Sequence, residues 1–290
     1  MRDDPTARAD LHNHLVPGVD DGARTVEDVL EGVERMTRVG IRRVVATPHL
    51  DGSMTRRPQV LAERLAAVDT AFEAARARVA ERFPEVTFLR GHEVLLDHPE
   101  PDFSDDRVRL AGTAYVLVEW PHLQLPPRTG MALGRIVRRG FRPVIAHPER
   151  YHGVADNSEL LYEWKAQGAL LQVNYGSLVG RWGPEARLIS RWILGSGMAD
   201  LLATDFHGRS HLKLYVKEAQ EVFDAVDAGE QFRLLTMVNP ARVLEGRDPL
   251  PVQPLPAERR RGLWTRMKEL LAGRPQRSGP GGAGDPGGAA

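Results

Sequence analysis

Histidines and carboxylates stand at the ends of short apolar runs along this chain, one run after another. The first is Asp10-Leu11-His12-Asn13-His14, where two imidazoles spaced by two on a strand project from one face and can bind one cation together. Val44-Val45-Ala46-Thr47-Pro48-His49, Phe88-Leu89-Arg90-Gly91-His92-Glu93, Val116-Leu117-Val118-Glu119 and Val144-Ile145-Ala146-His147 follow. Leu201-Leu202-Ala203-Thr204-Asp205-Phe206-His207 then repeats the spacing by two. Any one such residue has an ordinary alternative, such as a capping carboxylate or a histidine bonded to a carbonyl, but six runs ending alike do not share one. Asp20-Asp21-Gly22 reads either as an acidic turn or as a ligand loop; a loop that crosses the mouth of a barrel favours the second, with Asp21 as the candidate.

The inventory is His12, His14, His49, His147 and His207 with Asp21, Glu93, Glu119 and Asp205. Nine donors are too many for one four- or five-coordinate ion, so bridging carboxylates shared by two or three divalent ions are expected. Imidazole and carboxylate without sulfur suit Mn²⁺, Fe²⁺ or Zn²⁺ and do not choose among them. Several cations around one water lower its pKa toward neutrality and polarise phosphoryl oxygens, which makes phosphoester hydrolysis by direct hydroxide attack the expected chemistry. Arg150, three residues after His147, can offer a bidentate fork to phosphate; its alternative is a surface pairing with Glu149 or Glu185. Arg209 is a second candidate for phosphate, or else steadies Asp205. His92 points away from the mouth by alternation, and His98, His122, His152 and His211 fall in loops or helix starts, so none joins the ligand set.

Seven strands are expected to position these groups: Ala9–Leu11, Arg43–Ala46, Val86–Leu89, Tyr115–Val118, Pro143–Ala146, Leu170–Val173 and Leu201–Ala203. Between the first two, Val26, Val29, Leu30, Val33 and Met36 recur at helical spacing behind a Thr25/Asp28 capping box, and Gly40 suits the stop. Further helices are expected over Pro58 to Arg82, Met131–Arg139, Ser158–Gln167, Pro184–Leu194 and His211–Ala228. Alternating strand and helix imply a parallel α/β barrel, where strand ends converge on one face. One catalytic domain is expected over residues 1–248. A Pro/Gly-rich tail over 249–290 cannot bury apolar area; it is expected to be disordered, with a short amphipathic helix at 257–272 as accessory element or docking segment.

The chain has 290 residues and no cysteine, which excludes disulfides, thiolate metal sites and a cysteine nucleophile. Lys+Arg and Asp+Glu are both 39, so no basic excess points to nucleic acid or an anionic membrane. The opening MRDDPTARAD lacks a signal-peptide pattern and no apolar run is long enough to span a bilayer, so a cytoplasmic protein without membrane insertion is expected.

DLHNHLVPGVDDG, ATPH, GHE, VEW, AHPERY and TDFH, in that order over roughly residues 9–245, together resemble the polymerase-and-histidinol-phosphatase (PHP) superfamily. The HxH…DDG opening with HPERY resembles its bacterial capsular or exopolysaccharide protein-tyrosine phosphatases. The resemblance implies a distorted seven-stranded (βα)7 barrel with a three-metal, usually manganese-favouring centre. The implied substrate is phosphotyrosine on a membrane-associated bacterial tyrosine kinase that controls polysaccharide polymerisation. It assigns His12, His14, Glu93 and Asp205 to one ion, Glu93, Glu119 and His147 to a second, and Asp21, His49 and His207 to a third, and it places Arg150 on the phosphate. TDFHGR departs from the pattern, with Gly208 where a polar residue is usual and its arginine closer to the histidine. A small-metabolite phosphatase of the histidinol-phosphate kind and a non-catalytic metal-binding regulator are the competing readings.

Overall fold

The computed structural model describes residues 7–155 and 157–256. All seven expected strands form: β1 (Arg8–Asp10), β2 (Ile41–Ala46), β4 (Thr87–Arg90), β6 (Tyr115–Glu119), β7 (Arg142–Ala146), β8 (Leu170–Asn174) and β9 (Leu201–Ala203). Two short strands add to them, β3 (His49–Asp51) and β5 (Glu93–Leu95). Each continues the strand before it after a break, at Thr47-Pro48 and at Gly91-His92.

These breaks divide the hydrogen-bond ladder, so the single seven-stranded sheet expected from sequence is two parallel sheets, β1-β2-β4 and β3-β5-β6-β7-β8-β9. Proline donates no ladder bond, which explains the first interruption. The first and last strands meet beyond their ends, through the parallel bridge Asn13↔Phe206 and the bonds Asp205 N to His12 O (2.9 Å) and His14 N to Phe206 O (2.8 Å). Buried Asp10 accepts from Thr204 N (2.7 Å) and Thr204 Oγ1 (2.8 Å), fastening β1 to β9. Strands buried on both faces are nearly continuous apolar runs, as in Tyr115-Val116-Leu117-Val118.

Helix α1 (Val26–Arg38) carries the expected capping box and buries Val29, Leu30, Val33 and Met36. Helix α2 (Pro58–Arg82) starts with proline at its first position and buries Leu65, Val68, Phe72, Ala75 and Val79, a three-four spacing. Helices α3 (Thr129–Arg138), α4 (Glu159–Ala166) and α6 (Gly183–Gly195) lie where expected, with the short α5 (Tyr175–Leu178) added after β8. The helix expected over 211–228 is instead α7 (Val216–Asp224), because Tyr215 at φ 59° breaks the helical path. The carbonyls of Arg209, Ser210 and Leu212 bond to the Arg35 guanidinium of α1 in place of helical partners. Helices α8 (Gly229–Arg233) and α9 (Asn239–Leu244) follow.

Past residue 248 the chain still packs. The Asn239 side chain bonds both backbone groups of Leu250, Val252 is buried, and Leu255 N donates to Leu194 O. One compact unit runs to Pro256. The helix expected at 257–272 lies outside the described residues.

Candidate metal centre

All nine candidate ligands come together where the parallel strands end. Their donor atoms form four overlapping groups, each within 4.8 Å: His12, His14 and Asp205; His12, Glu93 and His147; His49, Glu93 and Glu119; and His14, Asp21, His49 and His207. Glu93 is the hub. Its Oε2 lies 3.1 Å from His12 Nε2, 3.3 Å from His14 Nε2 and 3.3 Å from His49 Nδ1, and its Oε1 lies 3.2 Å from His147 Nε2. Asp205 Oδ1 lies 3.4 Å from His12 Nε2 and 3.5 Å from His14 Nε2. The outer group is looser: Asp21 Oδ1 stands 3.5 Å from His49 Nε2 and 3.4 Å from His207 Nε2, and its side chain is 68% exposed. The three ligand sets implied by the family resemblance thus interpenetrate, with His14 and His49 lying between sets.

A divalent cation fits these residues. His12 Nε2 and His14 Nε2 are fully buried with no hydrogen-bond partner among the described residues, although carboxylate oxygens surround them. Orphaned polar atoms of that kind are costly in a core, whereas a cation would satisfy them together with the carboxylates. The opposite ring nitrogens are fixed. His12 Nδ1 donates to Gln172 Oε1 (2.7 Å), His14 Nδ1 to Asp20 Oδ2 (2.8 Å) and His207 Nδ1 to the Asp205 carbonyl (3.0 Å). Each bond aims Nε2 of its ring at the cluster.

Sequence reasoning missed these supports. Asp20 lies beside the favoured Asp21 and also accepts from Gly22 N and His49 N, so it orients the imidazoles rather than joining them. Gln172 Nε2 donates to Asn174 Oδ1 (2.8 Å), and Asn174 Nδ2 donates to Asp205 Oδ2 (2.9 Å), a chain linking two ligands of one group. A signal existed: Leu170-Leu171-Gln172-Val173-Asn174 places two polar residues at period two in a buried strand, on the face that meets His12. Gln172→Leu is expected to keep the fold and weaken metal affinity by roughly 10- to 100-fold; unchanged affinity by metal titration would show that His12 needs no such support.

Backbone strain marks two of the candidate ligands. His147 at φ 35° and Asp205 at φ 51° occupy the left-handed region, costing about 1–3 kcal/mol each. Around His147 the aromatic residues of VEW and HPERY hold the turn: Trp120 stacks on Trp164 at 5.0 Å and Trp120 N donates to the Tyr151 hydroxyl (3.2 Å). Gly208 also has a local reason. At φ 61°, a Cβ there would sit 2.9 Å from Ala23 Cα, so only glycine lets the 204–209 loop close on the 20–23 loop.

Both arginines hold partners other than those weighed from sequence. Arg150 Nη1 donates to Asp205 Oδ2 (2.6 Å), not to Glu149 or Glu185, and its guanidinium lies 4.0 Å over Trp182. Arg209 steadies Asp21 rather than Asp205, donating to the Asp21 carbonyl at 2.8 Å. His92 is buried behind the cluster with Nδ1 on the Arg107 carbonyl, and burial lowers it to about 4.

Burial disfavours charge on His12, yet Glu93 and Asp205 outweigh it and push His12 up to about 9; His14 is raised well above its usual value, against burial, by Asp20, Asp205 and Glu93. Their folded values exceed the unfolded one, so the protonated imidazoles stabilise the metal-free fold below about pH 6.5, and that contribution is lost as pH rises through about 9. A divalent cation displaces those protons. Metal-free melting temperature is expected to fall from pH 6.5 to 9, while the rise on adding Mn²⁺ grows over the same range. A metal-induced rise that shrinks with pH would count against binding at these imidazoles.

Residues 8–245 match the family described as capsular polysaccharide synthesis, CpsB/CapC. This chain belongs to that family. It is 28% identical over 254 residues to the tyrosine-protein phosphatase YwqE of Bacillus subtilis (strain 168), covering 87% of this chain and 97% of YwqE. It is 26% identical over 243 residues to the tyrosine-protein phosphatase CpsB of Streptococcus pneumoniae, covering 81% of this chain and 97% of that one. A solved structure from work on YwqE of B. subtilis and CpsB of S. pneumoniae, described as metal-dependent tyrosine phosphatases, aligns with a TM-score of 0.72 at 28% identity, over 87% of this chain and 100% of that chain. The CpsB/CapC match thus spans every candidate ligand and ends before the tail.

Proposed function

We propose that this CpsB/CapC protein is a metal-dependent protein-tyrosine phosphatase acting in capsular or exopolysaccharide synthesis. The observation that carries the reading is the hub at Glu93, whose carboxylate touches four imidazoles from three strand ends in a site built without cysteine. Two or three ions, manganese foremost and iron or zinc as alternatives, are supported by the overlap of the four donor groups. When bound, the ions supply an activated water and polarise the phosphoryl group.

The protein's own residues do the rest. His12, His14, Glu93, His147 and Asp205 form the buried part of the proposed ligand set; Glu119 extends it along the strand ends, and Asp21, His49 and His207 along the more exposed rim. Arg150 and Arg209 are the candidates for holding phosphate oxygens, with Arg150 also keeping Asp205 in place. An open approach favours phosphotyrosine on a protein over an enclosed metabolite: the outer candidate ligand Asp21 is 68% exposed, and none of residues 121–128 after β6 is buried. A membrane-associated bacterial tyrosine kinase is the proposed partner and the cytoplasm the proposed compartment. Among the described residues no helix is long and apolar enough to cross a membrane. The strand breaks and the Asn13↔Phe206 closure support a distorted seven-unit barrel, and the packing of Leu250, Val252 and Leu255 carries its domain past residue 248 to Pro256.

The test is elemental analysis of protein purified without chelator, with p-nitrophenyl phosphate and phosphotyrosine-peptide assays with and without Mn²⁺. Two or three ions per chain with metal-dependent phosphotyrosine release are expected. Bound metal without phosphatase activity would favour a docking regulator or another hydrolase, and absence of metal would sink the site.

A further inference from the structure

The ligand cluster opens into one cleft of about 680 Å³, within the ~300–1,000 Å³ of sites that hold far more than a phosphoryl group. Its wall is cationic: Arg24, Arg181, Arg209 and Lys213 line it with Arg150, although the whole chain has equal numbers of basic and acidic residues. The acids in the same wall are already engaged. Asp28 closes the helix cap, and Asp21 and Asp205 belong to the cluster. Among the described residues Arg24 and Arg181 have no carboxylate partner, and Lys213 has only Glu218 at 3.9 Å. Trp182, 42% exposed, lies under two guanidiniums, Arg150 at 4.0 Å and Arg181 at 4.7 Å, and so sets one cation at the metal cluster and one beyond it.

We propose that this cleft selects phosphotyrosine in an acidic segment: the phosphate enters the metal cluster while carboxylates or further phosphates beside the tyrosine engage Arg24, Arg181 and Lys213. The proposal rests on the phosphatase reading for the scissile group, but its charge recognition stands on the cleft itself. A run of like charge along a concave wall raises the local concentration of an oppositely charged chain, and the effect weakens with salt. Trp182 is a positioning residue in this arrangement, acting through Arg181.

The experiment uses two phosphotyrosine peptides of equal length, one flanked by Asp and Glu and the other by Asn and Gln. Binding is read by fluorescence anisotropy and turnover as kcat/KM, at low and raised ionic strength. The acidic peptide is expected to be favoured by about three- to tenfold at low salt, from several exposed charge pairs. The preference should shrink with salt and vanish in the double variant Arg24→Gln/Arg181→Gln. Trp182→Leu should lower the acidic-to-neutral ratio while Trp182→Phe restores it.

Equal binding and turnover of the two peptides would overturn the inference and leave the phosphatase reading intact. Absence of turnover with the binding preference retained would overturn the phosphatase reading and leave the cleft assignment standing. If a single-stranded oligonucleotide or anionic vesicles bind as tightly as the acidic peptide and depend on the same arginines, selection of a peptide is overturned.

Discussion

Glu93→Gln is expected to strip bound metal from the protein and to lower kcat on phosphotyrosine peptides by on the order of 10³-fold or more, because losing the ions removes both the activated water and the Lewis acid. The substitution keeps size and shape, so the loss reads charge rather than packing. Glu93 is 1% exposed and lies within 3.3 Å of His12, His14, His49 and His147. Removing its charge leaves four imidazoles without the one carboxylate they share, with Asp205 facing only His12 and His14 among them and Glu119 only His49 and His147. Elemental analysis and single-turnover kinetics on the same preparation check this. Full metal content with activity within tenfold would mean that Glu93 is not shared between ions.

Arg150→Ala separates two jobs. Its guanidinium is 2.6 Å from Asp205 Oδ2, yet Asn174 Nδ2 holds the same oxygen at 2.9 Å and His12 and His14 face the other. Asp205 therefore keeps a support when the arginine is removed. Metal content is expected to stay at the wild-type level while kcat/KM on phosphotyrosine falls by about 10²-fold, the scale of losing a charged donor from a transition state. Metal lost in parallel with activity would show that Arg150 acts only through Asp205.

The ligands were legible because a parallel strand delivers its last residues to one face whatever the details of twist, so His12, Glu119 and His147 needed only the strand ends to be located. The breaks were harder to read. Thr47-Pro48 and Gly91-His92 lie between apolar runs and ligands, and only the ladder shows that His49 and Glu93 begin new strands paired with each other. The loop before α7 was misread because residues 211–215 have helix-compatible composition while Arg35, far away in the chain, takes the carbonyls of Arg209, Ser210 and Leu212. Arg150 shows a similar limit: its neighbours in sequence offered Glu149, but that carboxylate turns inward to accept Asn174 N, leaving the guanidinium to Asp205. Partners set by tertiary approach leave no trace in local pattern.

The clasp between Asp10 and Thr204 joins groups 194 positions apart, and the backbone bonds of His12, His14 and Asn13 to Asp205 and Phe206 span similar distances. Closing a loop of that size comes late in folding, after the local βα units have formed. A nascent chain still short of Asp205 has its first strand unpaired on one side and its two opening histidines facing Glu93 but not Asp205. On the proposed function, metal binding would report completion. An ion held by both ends of the domain would reward only chains whose last strand has been made and docked, and chelation during refolding should leave β1 and β9 as the most exchangeable amides of the sheet.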